Sequence, residues 1–142
     1  HDCKLSNILF NRETQEAICP IDLDTLMPGY FFSDLGDMIR SMTPTVSEGI
    51  IATEKTMHVR TDIYKALMEG YTTGMGDALT KDEKANLYMA GRIMTYMQAL
   101  RFLTDYLNND CYYQISYAEQ NYDRAFNQFL LLKKLEALPS LK

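Results

Sequence analysis

HDCKLSNILF at residues 1–10, NRETQE at 11–16 and AICPIDLDTLMPGY at 17–30 read together as a polar loop, a strand, a turn and a second strand. Ile8-Leu9-Phe10 is a short apolar run, Asn11 to Glu16 is polar and turn-forming, and Ala17 to Ile21 is apolar again, the pattern of a β-hairpin. Pro20 has no N–H to give to a ladder, which suits an edge or irregular strand position. A hairpin brings its outer ends together, so Asp22 is expected beside Asn7. Pro28-Gly29 then interrupts regular structure.

The remainder reads as helical. Ser33 is a candidate N-cap, with Asp34 in the first turn and Leu35, Met38, Ile39 and Met42 at helical spacing. Residues 44–60 show no clean period and are expected to be irregular. A helix over 61–73 carries Ile63, Tyr64, Leu67, Met68 and Tyr71 on one side, and Gly70, Gly74 and Gly76 loosen its end. Thr80-Lys81-Asp82-Glu83 has the form of a capping box and opens a helix expected to reach Asn108, with a stripe of Ile93, Tyr96, Met97, Leu100, Leu103 and Leu107. A last helix over 118–138 presents Tyr122, Phe126, Phe129, Leu130 and Leu132 to Leu135. The fold class is therefore α+β and mostly helical, divided into a loop-and-hairpin segment over 1–32 and a helical subdomain over 33–142.

Composition narrows the function. The chain has 142 residues, 46% of them hydrophobic and 23% charged, enough for a packed core. A net charge of -5, with no basic cluster beyond Lys133-Lys134, argues against nucleic acid as a partner. The apolar runs are too short for a membrane span, and Cys3, Cys19 and Cys111 form neither a CxxC pair nor an even set, as expected for reduced thiols in a cytoplasmic protein.

The chemistry lies in the first residues. Phosphoryl transfer needs an alcohol placed in line, a group to take its proton, and cations against the phosphate charge. Asp2, Lys4 and Asn7 form Asp-x-Lys-x-x-Asn immediately before a strand, the Asp-to-Asn spacing of kinase catalytic loops. In that arrangement Asp2 accepts the hydroxyl proton, Asn7 binds magnesium (Mg2+) through its amide oxygen, and Lys4 faces the transferred phosphate; a solvated loop lysine is the competing reading of Lys4. Asp22 supplies a second hard oxygen ligand. Strand alternation would turn Asp24 to the same side as Asp22, as another ligand or a contact to a substrate hydroxyl.

HDCKLSNILF followed by AICPIDLDTLMPGYFFSDLGDMIR resembles the phosphotransferase family of aminoglycoside and choline kinases, with its His-x-Asp-x-x-x-x-Asn loop and Ile-Asp-x-Asp segment. MTYMQALRFLTDYLNNDCYY and NYDRAFNQF are most similar to the C-terminal helices of N-acetylhexosamine 1-kinase-like proteins. The resemblance implies the C-terminal lobe of a protein-kinase-like fold and ATP-dependent phosphorylation of a small hydroxylated molecule, with the anomeric hydroxyl of an N-acetylhexosamine as acceptor. It implies Asp2 as catalytic base, Asn7 and Asp22 as magnesium ligands, and Asp34 as a support of the catalytic loop. Arg101 and Tyr112 become candidates for sugar contact. His1 departs from the pattern by directly preceding Asp2, and the family's N-terminal lobe, which carries the nucleotide-phosphate lysine, is expected to be missing, so the chain alone is expected to be a fragment with little or no turnover.

Blander readings stand beside these. Asp37 and Arg40 read as a surface or anchoring pair, and Arg101 as the partner of Asp105 one turn on. Tyr112, Tyr113 and Tyr117 read equally as an aromatic plug. His1 and His58 are too few for a histidine-rich metal site. Choline or an aminoglycoside as acceptor, and a non-catalytic pseudokinase or helical binding module, are the alternatives in function.

Overall fold

A computed structural model describes residues 2–138. The loop before the hairpin closes in a 3-10 turn over Leu5–Asn7 and leads into β1 (Ile8–Phe10), which pairs antiparallel with β2 (Ala17–Pro20). The reversal follows from its side chains. Asn11 Oδ1 accepts the N–H groups of Glu13 and Thr14 at 2.8 and 3.1 Å, a local bond typical of turns, while Gln15 adopts φ 60° and the Asn11 N–H reaches the Glu16 carbonyl at 2.9 Å. Ile8 faces Pro20, Leu9 faces Cys19 and Phe10 faces Ala17, with an irregularity between Leu9 and Phe10. Every strand of a two-stranded sheet is an edge, so Pro20 is tolerated there.

Among the described residues five helices follow: α1 (Phe31–Met42), α2 (Thr61–Met75), α3 (Lys81–Asn86), α4 (Met89–Leu107) and α5 (Gln120–Glu136), with 3-10 turns over Leu23–Thr25 and Gly76–Ala78. The fold is α+β and mostly helical, and among the described residues no helix is long and apolar enough to cross a membrane.

The first helix starts earlier than its cap chemistry suggests. Tyr30 takes the N-cap position without a side-chain cap, and Ser33 lies inside α1. Aromatic packing sets the start instead: the Tyr30 and Phe32 rings stack at 5.3 Å, and the Tyr71 hydroxyl donates to the Phe31 carbonyl at 3.1 Å. The irregular stretch after α1 is pinned rather than loose. Pro44 bridges Val59, Ala52 and Met57 are buried in the core, and the wholly buried Asn127 donates to the carbonyls of Ser47 and Ile50 at 3.0 Å each.

The capping box at Thr80 and Glu83 forms, but the helix it opens does not run unbroken to Asn108. It stops at Asn86 and resumes at Met89. The Asn86 amide donates to the Asp82 carbonyl at 2.8 Å, competing for a helical acceptor. The Ala90 N–H then bonds the Leu87 carbonyl at 3.0 Å, a three-residue closure that tightens the turn while Leu87 enters the core.

The buried faces of α4 and α5 also differ from the expected stripes. On α4 the inward residues are Ala90, Gly91, Thr95, Ala99, Phe102 and Asp105, whereas Tyr96, Met97, Leu100 and Leu107 are exposed. On α5 the polar Asn121, Asn127 and Gln128 are buried and Tyr122 and Phe126 are exposed. The reason is crowding. α4 packs against both α1 and α5, so each inward position takes what its neighbour leaves room for, small residues where α1 crosses near Ala90 and Gly91 and Phe102 further along.

The tightest point is the crossing of α1 and α4. A Cβ on Gly36 would lie 2.4 Å from the Ala90 carbonyl oxygen and 2.4 Å from Met94 Cγ, and a Cβ on Gly91 would lie 2.5 Å from Ile39 Cγ2. Backbone oxygen cannot swing aside as a side chain can, so overpacking of about 1–3 kcal/mol outweighs the roughly 1 kcal/mol that Ala gains over Gly in a helix. Gly36→Ala is expected to lower stability by about 1–2 kcal/mol in urea unfolding at unchanged m. Gly49→Ala, where a Cβ meets nothing within 4 Å, should leave the midpoint unchanged or slightly raised. Equal midpoints for the two variants would contradict the close crossing.

Candidate active site

The loop, the hairpin ends and one face of α1 enclose a cavity of about 220 Å³. Asp2, Lys4, Asn7, Asp22 and Asp34 line it, with Ile21, Met38 and Met42 among its apolar walls. The loop is closed upon itself. The Asn7 Nδ2 donates to the Asp2 carbonyl at 3.0 Å and to Asp2 Oδ2 at 3.2 Å, and the Lys4 Nζ lies 2.8 Å from Asp2 Oδ2. The Ile21 N–H bonds the Asn7 carbonyl at 2.8 Å, which carries the hairpin pairing to its open end and sets Asp22 beside Asn7.

Partial burial pushes the Asp2 carboxyl up, but the hydrogen bond and charge of Lys4, the Asn7 amide and the more distant Arg40 outweigh it and hold Asp2 below the ordinary carboxylate range. The Asp2 hydrogen bond raises Lys4 against a smaller opposing effect of burial, with help from Asp22 and Asp37. Cys3 is raised by burial and then by the negative charges of Asp34 and Asp37.

Asp22 adopts φ 60° and ψ 57°, a left-handed conformation that Asp tolerates better than most residues. That residue ends the strand geometry. Asp24 therefore does not follow the alternation expected of it: it sits exposed in the 3-10 turn over Leu23–Thr25 and does not line the cavity. Asp34 does line it, and it lies near enough to the loop for its negative charge to raise the Cys3 thiol. His1 lies outside the described residues.

Asp37 and Arg40 are an anchoring pair, and a buried one. Arg40 donates to Asp37 Oδ1 from Nε at 2.9 Å and lies 2.8 Å from it through Nη2, and its Nη1 reaches Glu48. Asp37 Oδ2 is buried without a hydrogen bond among the described residues.

Arg101 and Tyr112 come together, but in a separate cleft of about 450 Å³ that shares no lining residue with the cavity around Asp2. The Arg101 guanidinium lies 6.0 Å from the Tyr112 ring centre and 5.7 Å from that of Tyr113. The anticipated Arg101–Asp105 ion pair is not formed, because Asp105 is engaged elsewhere: its carboxylate accepts the N–H groups of Tyr112 and Tyr113 and the Asn121 amide, each at 2.9 Å. Tyr113 packs on Phe102 with ring centres 4.7 Å apart, as a plug would, while Tyr112 is 74% exposed. Asp105 and Asn121 were not legible as site residues. Their one sequence signal is the Asn108-Asn109-Asp110 run, two of whose members adopt φ 63° and 54°.

No protein-family model matches the sequence. Among the described residues no group of three His, Cys, Asp or Glu side chains is placed to hold a metal ion. The Asn7 and Asp22 pair offers one amide and one carboxylate oxygen on the same cavity wall, a hard-oxygen set suited to a magnesium ion that takes its other ligands from phosphate and water.

Two outcomes follow from this geometry. Cys19 and Cys111 are exposed and Cys3 is partly buried, so iodoacetamide near neutral pH should label Cys19 and Cys111 several-fold faster than Cys3, read by peptide mass; equal rates would contradict the shielding of Cys3. Arg40→Met leaves Asp37 buried without its cation and is expected to destabilise the fold by about 3 kcal/mol in denaturant unfolding. A change below about 0.5 kcal/mol would show the pair to be a solvated surface contact.

Proposed function

We propose that this chain carries the acceptor and metal side of an ATP-dependent small-molecule kinase whose acceptor is the anomeric hydroxyl of an N-acetylhexosamine. The observation that carries the reading is the convergence of Asp2, Lys4, Asn7 and Asp22 on one cavity, an acid–base group, a cation and two oxygen ligands in the arrangement that phosphoryl transfer uses. The sequence resemblance to aminoglycoside, choline and N-acetylhexosamine kinases supplies the substrate class. On that resemblance the nucleotide-binding lobe lies outside these residues, and Leu9, Phe10, Ile18 and Leu26, all exposed on or near the hairpin, offer an apolar surface for it to cover.

In this reading Asp2 orients the acceptor hydroxyl and takes its proton as the oxygen attacks the γ-phosphorus. The Asn7 amide, bonded to both the backbone and the carboxylate of Asp2, holds that carboxylate in place. Asn7 and Asp22 would hold magnesium, which supplies charge neutralisation for the phosphate oxygens when bound. Lys4 has two positions to serve. It is paired with Asp2, and the two side chains are 41% and 34% exposed; an ion pair so open to solvent holds by no more than about 1 kcal/mol, so an incoming phosphate can draw Lys4 away and free the base. Arg101 and Tyr112, in a cleft that shares no lining residue with this cavity, would take the part of the acceptor away from its reacting hydroxyl.

The test is ATP consumption by the full-length natural chain against a panel of sugars in magnesium. Asp2→Asn, close in shape to Asp but unable to accept the proton, is expected to lower kcat by about 10²–10⁴-fold with a small change in KM for the sugar. Full turnover by Asp2→Asn, or turnover indifferent to removal of magnesium by chelation, would sink the proposal.

A further inference from the structure

Asp105 is 7% exposed and Asn121 wholly buried, an unusual use of polar side chains between two packed helices. Taking a carboxylate out of water costs several kcal/mol unless its lone pairs are met. Here they are met by the very backbone that carries the aromatic cleft, the N–H groups of Tyr112 and Tyr113. The Asn121 amide then bridges Asp105 Oδ2 and Asp110 Oδ1 at 2.9 Å each and takes a hydrogen bond from Arg124 Nη1 at 3.1 Å on its oxygen. Asn121 thus ties α5 to Asp105 of α4 and to Asp110 in the segment between the two helices.

The arrangement has a consequence for Arg101. With Asp105 turned to the loop, Arg101 has no carboxylate within ion-pairing distance among the described residues; its hydrogen bond is a long one to Gln98 Oε1 at 3.4 Å. An exposed guanidinium beside an exposed tyrosine ring presents donors and a stacking face together, the chemistry that recognises a hydroxylated ring carrying carbonyl or hydroxyl acceptors.

We infer that Asp105 and Asn121 are positioning residues for ligand binding in the Arg101–Tyr112 cleft, fixing the Tyr112–Tyr113 backbone and keeping Arg101 unpaired for the ligand. The inference rests on the sugar-kinase reading above. It differs from a purely structural role in predicting a selective effect on the sugar. In the full-length natural chain, Asn121→Ala is expected to raise KM for the N-acetylhexosamine about tenfold, the equivalent of one lost well-placed hydrogen bond, with kcat and KM for ATP within about twofold. Amide hydrogen exchange at Tyr112 and Tyr113 should accelerate in the same variant. Asp110→Gly, which suits the positive φ and removes the second acceptor of Asn121, should show the same pattern more weakly and serves if Asn121→Ala does not fold. Faster exchange with an unchanged sugar KM overturns the positioning role and leaves the kinase reading standing. An unaltered chain that phosphorylates no N-acetylhexosamine overturns both.

Discussion

Where α1 crosses α4 there is no space for a Cβ on Gly36 or Gly91, and much of the molecule is arranged by that contact. Leu35, Gly36 and Ile39 turn into the core, and the i, i+4, i+8 series Asp34, Met38 and Met42 forms an adjoining stripe of the same helix. That stripe is the wall of the cavity around Asp2. A helix held a side chain's width further from α4 would carry the cavity wall with it. The site's geometry is thus tied to a core contact that involves none of its polar residues.

The two cationic groups near Asp2 are held in opposite ways. Arg40 is clamped by Asp37 and Glu48 with 12% of its side chain exposed, and its planar fork suits several simultaneous bonds. It acts as a fixed background charge. Lys4, on a flexible and half-exposed stem, pairs among the described residues with Asp2. Only the second can move at little cost, because solvent replaces what the ion pair gives up. In the proposed reading the stationary charge helps hold Asp2 below the ordinary carboxylate range, and the movable one would follow the transferred group.

How much of this could be read from residues alone depended on range. The hairpin was legible because its causes are local: apolar runs of a few residues, Asn11 turning the chain, Pro20 at a strand end. The approach of Asn7 and Asp22 followed from that hairpin. Asp24 was misplaced because the alternation rule assumes a strand, and the left-handed Asp22 ends the strand geometry before it. The stripes of α4 and α5 misled for a different reason. Periodicity ranks positions by the size and apolarity of their side chains, whereas a helix squeezed between two others buries what fits. Ala99 and Gly91 face inward on α4 while Tyr96 and Met97 do not, and that choice is set by neighbours distant in sequence.

The buried amides of α5 show the same limit from the polar side. Asn127 and Asn121 look like interruptions of an apolar face, yet each satisfies groups that a hydrophobic residue would strand: the Ser47 and Ile50 carbonyls for one, the carboxylates of Asp105 and Asp110 for the other. Stretches without regular structure have unmet backbone groups wherever they pack against the core. α5 supplies partners for two of them, the segment after α1 and the segment after α4. A single helix thereby fixes an irregular stretch beside the core and the irregular stretch that carries Tyr112, which is why its sequence sacrifices apolar periodicity at the positions where those segments touch it.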